Sequence, residues 1–166
     1  MTLNAFYGKK KIAVVNIGNN KTAKAIVKVL KENGFNNVAE LDGTRSYPNY
    51  YGVAEYEPDY TLAVEEGASC KVKPYRVSGY GNQAGRIENR DLAESQIAKE
   101  CYRHHLKMIG LNPYLLGAVV IPFAEVKHIE WFYRDKSPLL YLRLPGKDTE
   151  SEAAAVCAAI QDYFVE

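Results

Sequence analysis

Residues 12–16 read Ile-Ala-Val-Val-Asn, a continuous β-rich run with lysines before it and Gly18 after, which predicts a short buried strand. Directly beyond it Ala23, Ile26, Val27 and Leu30 recur at helical spacing, while Lys21, Lys24, Lys28 and Lys31 fall on the other side and Gly34 supplies a stop. A second strand is expected at 37–41. Strand, helix and strand in this order form the pattern of a right-handed crossover in a parallel sheet, so the chain is expected to be an α/β protein.

The remaining elements extend that sheet. Residues 42–51 carry Gly43, Ser46, Pro48 and Asn49, a cluster that breaks regular structure. Strand-like stretches at 52–57, 60–65 and 70–77 suggest a meander turning at Pro58 and Asp59, and the glycines of 78–85 require a loop. A helix capped by Asn89 is expected to run to Gly110 with Ala93, Ile97, Cys101 and His105 in one apolar row. Residues 119–123 and 126–134 read as strands, with Pro122 at an edge or bulge, 135–138 as a turn and 139–144 as the returning strand. Thr149 and Glu152 form a capping-box pattern ahead of Ala153, Val156, Cys157, Ile160 and Phe164, the apolar face of a terminal helix. The expected fold is one α/β domain over 1–166, a sandwich with a mixed sheet of about six or seven strands, an antiparallel second half and three main helices.

Composition narrows the class of function. With 47% hydrophobic and 25% charged residues in 166, the chain matches an ordinary globular domain and not a disordered or fibrous one. Its richest apolar stretch, 115–126, is interrupted by Pro122 and Glu125, and residues 1–11 lack the apolar block of a secretory signal, so no membrane span or leader is expected. Three widely spaced cysteines, Cys70, Cys101 and Cys157, suit a reducing, cytoplasmic compartment better than a disulfide scaffold. A formal net charge of +1 provides no global field toward nucleic acid or an anionic membrane. Charge is nonetheless segregated: up to Asn36 seven lysines face only Glu32, whereas from there to Gly67 seven carboxylates face only Arg45. These blocks read either as two solvated faces that neutralise each other or as a dedicated anion surface.

The first candidate site is Gly18-Asn19-Asn20-Lys21-Thr22, between the opening strand and its helix. Helix N–H groups and the peptide dipole favour an anion there, Gly18 allows close backbone approach, Thr22 can cap or donate, and Lys21 can neutralise a phosphate. The spacing is neither that of a Walker loop nor of a dinucleotide fingerprint, and a plain capped turn would use the same residues. Loop 79–86, with Asn82 and Arg86 as polar contacts, could cover a ligand at this turn. Its glycines 79, 81 and 85 lack the carboxylate about twenty residues on that a dinucleotide site needs. The leading reading is therefore a domain that binds a small phosphate- or carboxylate-bearing ligand, with or without catalysis, and with no particular cofactor indicated.

Two other readings come from different classes. The acidic segment 47–66 is rich in tyrosine, and Tyr47, Tyr50, Tyr51, Tyr56 and Tyr60 could form a protein- or carbohydrate-recognition surface or simply pack along edge strands. Glu125 and Lys127 are two apart on an expected strand, hence on one face, and with Asp59 upstream this resembles the PD-(D/E)xK nucleases. That resemblance implies metal ligation by Asp59 and Glu125 with Lys127 orienting water. Residues 12–16 with Ala23, Val27, Leu30, Gly34 and Phe35 are similar to the small α/β domain at the C-terminus of LytR-type cell-envelope proteins, and the resemblance stops there. His104 and His105 are adjacent on a helix and point about 100° apart, too far for one ion, while His128 with Glu130 shares a strand face. Cys101 and Cys157 lie in apolar rows, which leaves Cys70 as the cysteine expected to be reachable.

Overall fold

A computed structural model describes residues 3–42, 56–77, 92–115, 119–121 and 139–165. Its elements, in chain order, are α1 (Leu3–Gly8), β1 (Lys11–Asn16), α2 (Lys21–Glu32), β2 (Asn37–Asp42), β3 (Tyr60–Glu66), β4 (Lys71–Val77), α3 (Leu92–Met108), β5 (Tyr114–Leu115), β6 (Val119–Ile121), β7 (Leu139–Leu144) and α4 (Thr149–Val165). Among the described residues the sheet has seven strands in the order β2-β1-β3-β7-β4-β5, with β6 also paired to β4. Among the described residues three of the four helices are long, and the mixed α/β architecture expected from the sequence is the one observed.

The parallel half holds the core. Ile12 pairs with Val38 of β2 and Tyr60 of β3, and Leu62 of β3 pairs with Leu140 of β7, all in parallel register. Residues 12–16 and 60–64 are buried on both faces of the sheet, which is why these strands read as unbroken apolar runs rather than as alternation. The sense reverses at one boundary, where β4 lies antiparallel to β7, and β5 and β6 then run parallel to β4. Three expectations change accordingly. The second half of the sheet is not antiparallel as expected, since among the described residues β4–β7 is its one antiparallel pair. β3 and β4 are not a meander, because β7 is inserted between them, and β7 is not a hairpin return, because β3 and β4 occupy both its sides.

Helix α2 is positioned by its ends. Asn20 is the N-cap and accepts from Ala23 N–H at 2.7 Å. At the other end Gly34, at φ +97°, donates to Lys31 O, while Phe35 N–H donates to Leu30 O at 3.1 Å, the two bonds of a Schellman motif. Phe35 and Leu30, both fully buried, supply the apolar contact that accompanies it. A side chain at that left-handed position is strained, so Gly34→Ala should lower unfolding free energy by about 1 kcal/mol, measured by urea titration. The same device closes α3 at Gly110, at φ +85°.

Helix α4 packs against both α2 and α3. Its buried Ala153, Val156, Cys157 and Ile160 form the expected apolar face. Its cap is Asp148, one residue earlier than Thr149: Asp148 Oδ1 accepts from Ser151 N–H at 3.2 Å, while Glu152 Oε2 accepts from Asp148 N–H at 2.9 Å. In α3 the inward residues are Ala98, Cys101, Tyr102 and Leu106, whereas Ile97, assigned inward by its spacing, is 40% exposed. His105 Nε2 meets Asp162 Oδ2 at 2.5 Å and ties α3 to α4. Tyr60, grouped in the sequence with surface tyrosines, is fully buried and donates its hydroxyl to Tyr102 at 2.7 Å. Burial, with the neighbouring Tyr102, pushes the Tyr60 phenol well above its ordinary pKa. The short α1 had no counterpart in the expected elements; its Tyr7 stacks on Phe35 with ring centroids 4.7 Å apart. No helix among the described residues is long and apolar enough to cross a membrane.

Candidate functional site

The chain leaves β1 through α2 to β2 on one side of β1, then returns to place β3 on the other. Strand order therefore reverses between β1 and β3. In open α/β sheets the crevice outside the carboxyl ends at such a reversal is where ligands collect. Here those ends are Asn16 on β1 and Glu66 on β3, beside Leu144 on the parallel β7. Helices α2 and α4 both begin along this edge.

A network of polar side chains shapes the turn. Asn16, 1% exposed, accepts from Asn20 N–H at 2.7 Å through Oδ1 and donates from Nδ2 to Asn20 O at 3.0 Å. Its Nδ2 also lies 3.3 Å from Glu40 Oε2. Asn20 in turn donates from Nδ2 to Ile17 O and to Val64 O, both at 3.0 Å, while its Oδ1 caps the helix. Two asparagines thus lock β1, the turn, α2 and β3 together.

Carboxylates occupy both helix starts. Glu66 Oε1 accepts from Thr22 N–H at 3.2 Å and from Thr22 Oγ1 at 2.6 Å, placing a negative charge where the α2 dipole is positive. Gly146, at φ +70°, turns the β7 to α4 connection with a left-handed backbone that strains any side chain, and a Cβ there would also meet that same Oε1 at 2.9 Å. Glu152, 2% exposed, accepts from Gly146 N–H and Asp148 N–H, both at 2.9 Å, at the start of α4. At the rim Arg143 donates to Glu65 Oε1 and to Tyr141 Oη, each at 3.0 Å. Cys70 is buried, not reachable as expected; burial, and then the Glu152 charge, push its thiol up to about 11. Burial likewise holds Cys157 up at about 11, so neither is a ready nucleophile.

The five turn residues divide into two groups. Asn20 and Thr22 face inward and are consumed by the fold, so the amides of Thr22 and Ala23 already have partners in Glu66 and Asn20. Gly18, at φ +79°, and Asn19, at φ +53°, are exposed, as is Lys21. Asn82 and Arg86 lie outside the described residues, as do Tyr47, Tyr50, Tyr51, Glu125, Lys127, His128 and Glu130. Tyr56 is half-buried with the Lys11 amine 4.8 Å from its ring centroid, and Asp59 accepts from Lys11 N–H at 2.8 Å. Among the described residues no group of three or more His, Cys, Asp or Glu is placed to hold a metal. Three residues central to this edge, Asn16, Glu66 and Glu152, were not singled out as site residues. The one signal for Asn16 was a polar residue ending an apolar strand.

Fold and edge together define an α/β protein with a topological reversal at the carboxyl ends of β1 and β3. No protein-family model matches the chain, and no curated protein matches it in sequence. Among solved structures it is similar to a protein of Shewanella denitrificans provisionally described as a metallopeptidase. The TM-score is 0.49 at 9% identity, over 95% of this chain and 74% of that one. At that distance the likeness says nothing of chemistry.

Proposed function

We propose that this chain is a small-ligand-binding α/β domain that takes a phosphate- or carboxylate-bearing molecule at the carboxyl edge between β1 and β3. The observation that carries the reading is the reversal of strand order at that edge, with Gly18, Asn19 and Lys21 exposed beside it. Lys21 supplies the charge, and Gly18 and Asn19, exposed with left-handed backbone, would contribute main-chain groups to the ligand. Asn20 and Thr22 act indirectly, by holding the turn in shape. Loop 79–86, through Asn82 and Arg86, would cover the bound molecule. Glu66 sits on the helix amide that a phosphate oxygen would otherwise use, so the ligand is read at the outer rim of the turn.

A thermal-shift panel of nucleotides, sugar phosphates and short carboxylic acids tests this. A ligand at about a hundred times its Kd should add about 2.7 kcal/mol to stability, a rise of several degrees in Tm. Lys21→Ala should abolish most of that rise while leaving the unliganded Tm close to that of the parent. If no compound in the panel moves the parent protein, or the shift survives Lys21→Ala undiminished, the reading is wrong.

A further inference from the structure

We propose that the outer face of α2 is a docking surface for an acidic helical segment of a partner protein. Lys21, Lys24, Lys28 and Lys31 are all exposed, and at 100° per residue they fall within an arc of about 80°. Along the axis they are spaced by three, four and three residues, or roughly 4.5, 6 and 4.5 Å, a straight row about 15 Å long.

This row works against the fold that carries it. Each neighbouring pair, 21 with 24, 24 with 28 and 28 with 31, sets like charges at i,i+3 or i,i+4, which weakens a helix. Lys21 opens the helix where the dipole is positive, but Glu66 supplies a carboxylate there and Lys31 complements the dipole at the other end, so the cost of the row lies in its like-charge pairs. The offset is slight: Lys28 and Glu32 are 4.0 Å apart with side chains 76% and 58% exposed, and among the described residues Lys21, Lys24 and Lys31 pair with no carboxylate. A row of like charges held on one exposed face is open to an opposite charge supplied from outside.

The surroundings define the occupant. Strand β2 packs beside α2 and presents Glu40 and Asp42, both exposed, so a wide polyanion extending past the helix would meet repulsion. Helix α2 has no aromatic residue on which a base could stack, and among the described residues the exposed large apolar ones, Ile97, Met108, Ile109 and Val165, lie on or beside other helices. A narrow strip of negative charge with helical spacing fits the row, and a helix bearing Glu at i, i+3, i+7 and i+10 provides it.

The test is fluorescence anisotropy with a labelled helical peptide carrying glutamates at those positions, alongside a scrambled peptide, a 15-base-pair DNA duplex and phosphatidylserine vesicles as comparators. The parent protein should bind the helical peptide most tightly, with affinity falling steeply between low and about 0.3 M salt. Combined Lys24→Gln, Lys28→Gln and Lys31→Gln should weaken binding roughly tenfold or more. That variant should also melt no lower than the parent, because it removes like-charge contacts. Lys21 is left intact, so the small-molecule thermal shifts should not change, and failure of one proposal is distinguishable from failure of the other. Undiminished peptide binding by the triple variant, tighter binding of duplex or vesicles, or no peptide binding at low salt would each overturn the assignment.

Discussion

Glu152→Ala should lower the unfolding free energy by about 3 kcal/mol, the loss expected when two charge-assisted hydrogen bonds disappear and the buried Gly146 amide is left without its acceptor. The carboxylate is 2% exposed and bridges the N–H groups of Gly146 and Asp148, so water does not readily replace it. It also stands in the first turn of α4, where a negative charge complements the dipole. Glu152→Gln separates the two contributions. It keeps the shape and one acceptor oxygen but turns an NH2 group toward the second amide, so its cost should be about 2 kcal/mol. Urea unfolding of the three proteins at neutral pH measures both. A loss under about 1 kcal/mol for the alanine variant would mean that the β7 to α4 connection rearranges to satisfy its own amides.

The opening of the fold was legible because its signals are local and mutually consistent. Helix α2 is bracketed by a cap and a Schellman glycine, its apolar residues sit at helical spacing, and the strands on either side are short and unbroken. What escaped is non-local. The residues of β7, Leu-Leu-Tyr-Leu-Arg-Leu, are apolar enough for any interior slot, and nothing within them indicates a place between β3 and β4. Ile97 faces solvent because an i,i+4 row drifts about 40° per step around a helix, and the buried face of α3 runs through Ala98, Cys101, Tyr102 and Leu106. The cap of α4 moved by one residue because Asp148 and Thr149 are both good capping residues and adjacent in sequence.

The candidate site shows the same division more sharply. Its place, the turn after β1, followed from chain order alone, but the use of its hydrogen bonds did not. Glu66 is 44 residues from Thr22 and reads in sequence as one more acid in an acidic block, although it serves as the anion of the α2 N-terminus. Loop 79–86, expected to cover the turn, and Tyr47, Tyr50 and Tyr51 of the tyrosine-rich segment lie outside the described residues.

Asn20→Asp distinguishes a capping residue from a structural brace, and it should cost about 3 kcal/mol. As helix N-caps the two residues are equivalent, so capping alone predicts a change of a few tenths. Here the amide nitrogen donates to Ile17 O and Val64 O, both at 3.0 Å, and replacing it with a carboxylate oxygen sets negative charge against two carbonyls in a 9% exposed position. Val64 O keeps its bond from Ile17 N–H, so the greater loss falls at Ile17 O. Asn20→Ser, which retains a capping oxygen but cannot reach either carbonyl, should lose about 2 kcal/mol. The aspartate penalty should also depend on pH in a definite direction. Unfavourable burial raises the folded-state pKa of the new carboxyl above its unfolded value, so stability is retained below about pH 4, where the group is protonated and can donate, and lost as pH rises through the folded-state pKa. Urea midpoints for both variants across this range measure the effect, and a flat profile with a loss of only a few tenths would show that Asn20 is a cap and nothing more.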